Sequence, residues 1–293
     1  MAATADRPDW QVFDRAALVR QRQRAAARFG EHDFLHREVG ERLLDRLADI
    51  NRSFEAGVDL GGNLARLGLL PAAGQWQVCT EGVPLSDAQA IEAETLPAEP
   101  GSADLVVSNL YLHSVNDLPG MLAQARTALQ PDGLFLAALF GGHTLTELRH
   151  AFLEAEAEIT GGASPRVSPF ADVRDAGGLL QRAGFALPVA DADVITVEYE
   201  TPLRLMTDLR GMGEANALAD RSRKTLRRDV LARMLDIYMG RHATPSGRVQ
   251  ATFEIVWLTG WHPHESQQKP LRRGSGSMPL GDALKAAMDK PKS

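Results

Sequence analysis

A single cysteine, Cys79, in 293 residues excludes an internal disulfide and any multi-cysteine metal site. Lysine is absent before Lys224, so every earlier cation is an arginine; a compositionally biased genome explains this more economically than a function does. No apolar run reaches the roughly 18 residues of a membrane-spanning helix, and the first residues lack the apolar core of a secretion signal. A soluble cytoplasmic protein is therefore the expectation. The net charge of −6 argues against nucleic acid as the main partner. No grouping of His, Asp and Glu has ligand spacing, His262 and His264 included, so no metal is expected. Glycine runs short at one informative place. Val58, Asp59 and Leu60 read as a buried strand entering Gly61 and Gly62, but Asn63, Leu64, Ala65 and Arg66 follow. Nucleotide loops use small residues so that backbone N–H groups can approach a ligand, and here that supply stops after two.

What is present suffices for a full core: 44% of residues are hydrophobic and 24% charged. Arg15, Arg20, Arg22, Arg24 and Arg28 make residues 1–30 a basic helical segment. Asp6, Asp9 and Asp14 argue against a targeting peptide, which leaves a solvated helix or one that meets a partner or a membrane surface. Phe34, Leu35, Val39, Leu43, Leu44 and Leu47 form a helical stripe that should cover one face of a sheet. Strands are expected at 54–60, 76–80, weakly at 90–93, at 104–108 and at 134–140, with helices at 63–70, at 118–129 before the turn cluster Pro131, Asp132, Gly133, and at 145–159. This alternation predicts a parallel α/β sheet with helices on both faces. Two late β-rich runs, 194–199 and 253–259, enclose a helical insertion at about 200–245. The main domain is thus expected over 31–261, and residues 262–293 read as a flexible tail.

Residues 104–122, Asp-Leu-Val-Val-Ser-Asn-Leu-Tyr-Leu-His-Ser-Val-Asn-Asp-Leu-Pro-Gly-Met-Leu, with Ala-Leu-Gln-Pro-Asp-Gly at 128–133, resemble class I S-adenosylmethionine-dependent methyltransferases. More narrowly, the runs 140–149, 162–170, 206–216 and 253–261 are similar to the mitochondrial complex I assembly factor 5 group and its bacterial relatives, over roughly residues 10–270. The resemblance implies a Rossmann-like methyltransferase fold with a mainly parallel seven-stranded sheet, and S-adenosylmethionine as cofactor. It implies a protein substrate or a respiratory complex I subunit as partner, and the group's mitochondrial member is reported to hydroxylate an arginine of that complex.

Carried over position by position, the resemblance gives Asp59, Gly61 and Gly62 to the cofactor turn, Glu81 to the ribose hydroxyls, Glu92 to the adenine amino group, and Asn109 and Leu110 to the methionine portion. Only a short segment separates Glu81 from Glu92, too short for the usual intervening helix, so both departures lie on the cofactor side. Glu81 and Glu92 also read as plain surface acids. His113 is a candidate base or a turn cap, and Arg166, in an exposed-looking loop with Ser168 and Pro169, a candidate for binding a carboxylate or carbonyl. Met206, Leu209 and Met212 read as core, and Cys79 as buried and inert. Three functional readings follow: a methyltransferase acting on a protein or small molecule, a protein arginine hydroxylase, or a non-catalytic assembly factor in which Leu64 or Arg66 fills the space beside Asp59.

Overall fold

Leu134, Leu136, Ala138 and Phe140 enter one hydrophobic cluster while Phe135, Ala137 and Leu139 enter another, the two-residue period of a strand covered on both faces. This strand is an interior strand of the sheet in the computed structural model, which describes residues 11–170 and 172–267. In chain order the elements are α1 (Arg15–Ala26), α2 (Phe34–Ala48), β1 (Ala56–Leu60), α3 (Asn63–Leu67), β2 (Gln75–Thr80), β3 (Gln89–Ala90) and β4 (Ala103–Asn109). There follow α4 (Leu118–Ala128), β5 (Leu129–Phe140), α5 (Thr146–Thr160), α6 (Val173–Arg182), β6 (Ala186–Tyr199), α7 (Pro202–Met212), α8 (Arg228–His242) and β7 (Val249–Trp261).

The strands form one seven-stranded sheet in the order β3-β2-β1-β4-β5-β7-β6. The first five pair in parallel and β7 runs antiparallel to both its neighbours, which is the mainly parallel Rossmann-like sheet expected. The chain steps outward from β1 to β3 and then returns to β4 on the other side. That reversal leaves a crevice beyond the carboxyl ends of β1 and β4, the place where ligands bind in open α/β sheets.

Helices cover the two faces through apolar stripes. Leu35, Val39 and Leu43 of α2, each fully buried, join the cluster that holds Leu105 and Val107 of β4. Met121, Leu122 and Ala125 of α4 join the opposite one. Full burial of one such leucine contributes about 1.5–3 kcal/mol. Side-chain oxygens of Asp14, Asp117, Asp172 and Thr201 cap α1, α4, α6 and α7, satisfying amides that a helix start leaves open.

Several boundaries differ from the sequence-based expectation. Pro131, Asp132 and Gly133 do not separate helix from strand; β5 already begins at Leu129, and the register jumps from Ala103–Leu129 to Leu105–Leu134, so the cluster is a bulge with Asp132 at φ +66. β6 is more than twice the expected length, because Asp191 and Asp193, just ahead of the expected run, are paired from outside: Arg46 donates to both oxygens of Asp191 at 2.9 Å and lies 3.5 Å from Asp193, and Trp257 Nε1 donates to Asp193 at 3.0 Å. α6 is a helix additional to those expected. β3 has only two residues; no helix intervenes between β2 and β3, as the short segment between Glu81 and Glu92 predicts. α1 is not simply solvated: Arg20, Arg24 and Arg28 face water, but Arg22 is buried and Arg15 half-buried. His262 extends the β7 edge by exchanging backbone hydrogen bonds with Asp132 and Gly133. His264–Gln267, the described part of a second unit, close a turn between the Gln267 amide and the His264 carbonyl; the rest of the expected tail lies outside the described residues.

Candidate active site

The glycine turn at the end of β1 is shaped by this chain's own side chains. Gly61 and Gly62 have φ of +102 and +71. A Cβ on Gly61 would lie 2.5 Å from Tyr111 Cβ, and one on Gly62 2.3 Å from Thr80 Cγ2. Asp59 is fully buried; its Oδ2 accepts from the Ala65 amide at 2.8 Å and so closes the turn into α3. Burial raises the Asp59 carboxyl to about 7, with the Ala65 amide opposing, and its Oδ1 has no partner.

Asn109 and Leu110 end β4. Asn109 Nδ2 donates to the His36 carbonyl at 2.8 Å, tying α2 to the sheet, while Asn63 Nδ2 donates to the Asn109 carbonyl at 2.7 Å. Leu110 is buried at φ +47 and leads into a single 3-10 turn, Leu112–Ser114.

Glu81 is neither a surface acid nor free to meet a ligand. It is 6% exposed and ion-paired with both Arg15 and Arg22, the latter at 2.8 Å. Arg22 also donates to Ser114 Oγ at 2.6 Å, and its guanidinium lies 5.1 Å from the Tyr111 ring centroid. Glu92 points away into an exposed tight turn bridged to Thr95. Its neighbour Glu94 faces the cluster instead, accepting from the Asn116 and Asp117 amides at 2.8 Å each and pairing with Arg15 at 2.9 Å. What remains above the turn is a cavity of about 10 Å³, bounded by Arg22, Gly61, Arg66, Leu110, Tyr111 and Glu214. That is room for one water molecule. Of the two residues expected to fill this space, Arg66 lines it, with its guanidinium 3.4 Å from the Phe29 ring centroid, but Leu64 lies in the core.

A second pocket of about 270 Å³ adjoins the first. His113, Phe140, Phe152, Arg166, Phe170 and Glu214 line it, together with Met206 and Leu209, which therefore serve more than the core. His113 and Arg166, far apart in sequence, meet here. Arg166 Nε donates to Glu156 at 2.8 Å, so its charge is matched by a buried acid. His113 Nε2 lies 3.0 Å from Glu214 Oε2, with its ring centroid 4.5 Å from that of Phe140. Burial raises the Glu214 carboxyl, but His113, His36 and Arg22 outweigh it and hold the group at about 2. His36, 4.0 Å from the other Glu214 oxygen, is pushed down to about 4 by burial and is neutral at pH 7.

The structure thus gathers Asp59, Gly61, Gly62, Glu81, Asn109, Leu110 and His113 at the crevice, adds Arg166 through the larger pocket, and leaves Glu92 outside. Sequence reasoning missed Glu214, His36, Tyr111 and the inward roles of Arg15 and Arg22. The seven-residue spacing of the two arginines, which places them on one helix face, was the available signal.

A glycine turn after β1, an acid after β2 and a histidine turn after β4, on a sheet whose order reverses between β1 and β4, define a Rossmann-like methyltransferase. The chain belongs to that family: the family model described as a methyltransferase domain matches residues 20–188. The chain is 37% identical to the mitochondrial arginine-hydroxylase NDUFAF5 of Danio rerio, an alignment covering 96% of this chain and 92% of that one. It is 33% identical to the malonyl-acyl-carrier-protein O-methyltransferase of Halorhodospira halophila, over 86% of this chain and 90% of the relative. The YcgJ protein of Bacillus subtilis shares the fold at a TM-score of 0.50 and 12% identity, covering 76% of this chain and 98% of that one. The expectation of a cytoplasmic protein is overturned by the first of these, since a relative similar over nearly the whole chain is mitochondrial.

S-adenosylmethionine, the group this family implies, matches these residues in chemistry but not in space. The donor set suits a nucleoside: a glycine turn and an acid at the end of β2, with a buried Asp59 oxygen lacking a hydrogen bond beneath the turn. The space does not, because Arg22 and Tyr111 occupy it and both arginines hold Glu81.

Proposed function

We propose that this protein is an S-adenosylmethionine-dependent enzyme of the methyltransferase family that receives a side chain of a protein substrate, a subunit of respiratory complex I, in the larger pocket. One observation carries the reading: Glu214 lines both the cavity at the glycine turn and the larger pocket, so the cofactor position and the acceptor position meet at one anionic group. Bound at the glycine turn, S-adenosylmethionine would supply a methyl group. The protein's own residues bind and orient the acceptor and exclude water, which requires few obligatory catalytic side chains. Phe140, Phe152 and Phe170 suit an apolar stem, and Glu214, kept ionised by its neighbours, suits a cationic or N–H-bearing head. An arginine side chain has both parts, and arginine is the residue in the name of the zebrafish relative. Calorimetric titration with S-adenosylhomocysteine tests the cofactor, and the mass of complex I subunits from a deletion strain tests the acceptor. An absence of binding at millimolar ligand, by the natural chain and by Arg22→Ala alike, removes the enzymatic reading.

The second reading, a non-catalytic assembly factor, is favoured by the near-closure of the cavity above Gly61. It requires that S-adenosylhomocysteine fail to bind even when Arg22 is replaced by alanine.

A further inference from the structure

α1 carries two faces with different tasks. Arg15 and Arg22, seven residues apart, reach across to Glu81, which they hold by two ion pairs in a setting sealed by Ser114 and Tyr111. The start of the same helix is strapped to the loop that follows α7. The Asp14 amide donates to the Ala217 carbonyl at 2.8 Å, Arg221 pairs with the Asp14 carboxylate at 3.0 Å, and Gln21 Nε2 donates to the Asn216 carbonyl at 3.0 Å. Phe13, Ala17 and Leu18 bury against Ala217 and Leu218 in a small cluster separate from the two main cores. Phe13, Leu18, Asn216 and Ala217 are also wall residues of the larger pocket. The loop is tied onward to the opposite rim, because Asn216 Nδ2 donates to the Pro165 carbonyl at 2.8 Å and the Ser222 amide to Ser164 Oγ at 3.0 Å.

We infer that α1 is a latch on the nucleoside position: a ligand whose ribose hydroxyls pair with Glu81 must displace Arg15 and Arg22, and the resulting movement of α1 is passed through the Asp14–Arg221 strap to the wall of the larger pocket. The inference rests on the cofactor assignment proposed above. A carboxylate already satisfied by two guanidinium groups accepts new donors only when those groups leave, and Arg22, buried, has no solvent to leave into unless its helix shifts. Because α1 and the 214–221 loop share a hydrophobic cluster and three hydrogen-bonded links, the helix does not shift alone. The two pockets are therefore coupled, and by linkage an acceptor that reshapes the larger pocket changes nucleoside affinity by the same factor.

The test is calorimetric titration of the full chain with S-adenosylhomocysteine, together with hydrogen exchange measured with and without that ligand. Arg22→Ala removes the plug. Asp14→Ala loosens the strap without touching Glu81 and serves should the first variant fold poorly. The expected result is that each variant binds at least tenfold tighter than the natural chain, and that ligand raises exchange in the natural chain at both residues 15–26 and residues 214–221. Binding by a variant when the natural chain shows none also supports the latch. Equal or weaker binding by the variants, or exchange that rises at α1 but not at 214–221, overturns the latch while leaving the cofactor assignment standing. If neither the natural chain nor either variant binds at millimolar ligand, the cofactor assignment fails and the latch with it.

Discussion

Glu214 Oε2 and His113 Nε2 lie 3.0 Å apart, on segments 101 residues distant in the chain, and the carboxylate is held at about 2 although its side chain is only 16% exposed. Its folded value lies below its ordinary 4.5, so the stabilisation it gives is present above pH 4.5 and lost as pH falls toward 2. Glu214→Gln should flatten the acid limb of the stability curve in that window. Glu214→Ala should cost about 1–3 kcal/mol at pH 7, because the His113 N–H is left buried and unpaired. Urea unfolding across pH measures both.

His36 and Asp59 should make opposing contributions to stability in overlapping windows. His36 titrates near 4 when folded against 6.5 when free, so the unfolded chain takes up its proton first and stability falls as pH drops from 6.5 to 4. Asp59 is raised from 3.8 to about 7, so its contribution is full below 3.8 and lost as pH rises through 7. The natural chain should therefore show a shallow profile between pH 4 and 6.5. His36→Gln should uncover a fall in stability with rising pH and Asp59→Asn the reverse, each with a slope of up to about 1.4 kcal/mol per pH unit. Chemical denaturation at half-unit pH intervals reads the two slopes.

Gly62→Ala should destabilise the protein even with no ligand in play. At φ +71 the new Cβ would come 2.3 Å from Thr80 Cγ2. Strain of this kind costs about 1–3 kcal/mol. A drop in Tm, with Gly68→Ala as the comparison because nothing lies within 4 Å of a Cβ at that equally left-handed position, isolates the close approach from the backbone term.

Arg166→Ala should act through Glu156. That acid is 5% exposed and accepts from Arg166 and from the Ser164 amide at 2.6 Å. Its unmatched charge should cost about 1–3 kcal/mol. Arg166→Ala combined with Glu156→Gln should recover most of the loss, which a double-mutant cycle in urea detects.

The sheet was largely legible in the chain because its central strands are unbroken apolar runs, and 104–108 and 134–140 fall inside β4 and β5. β6 was half hidden, since Pro188, Asp191 and Asp193 look like loop until Arg46 and Trp257 arrive from elsewhere to pair the acids. The site divides in the same way. Asp59, Gly61 and Gly62 fall in one short stretch and could be read together, and Glu81 could be named as the acid after β2. Its state could not, because its partners Arg15 and Arg22 lie on a helix before the first strand. Glu214 was equally invisible: nothing near it in sequence marks an acid that packs against His113 and His36.

β7 lies between β5 and β6 in space but follows both in the chain. During synthesis β6 thus has no strand to pair with until everything from Glu200 to Arg248 has been made and residues 249–261 arrive. At about 5–20 residues per second, that leaves a 14-residue strand unpaired on the ribosome for seconds, exposed to any other open edge. The order of assembly makes the β6–β7 pairing the last step of the sheet. A chaperone that shields nascent strands should accordingly change the yield of this protein more than its final stability.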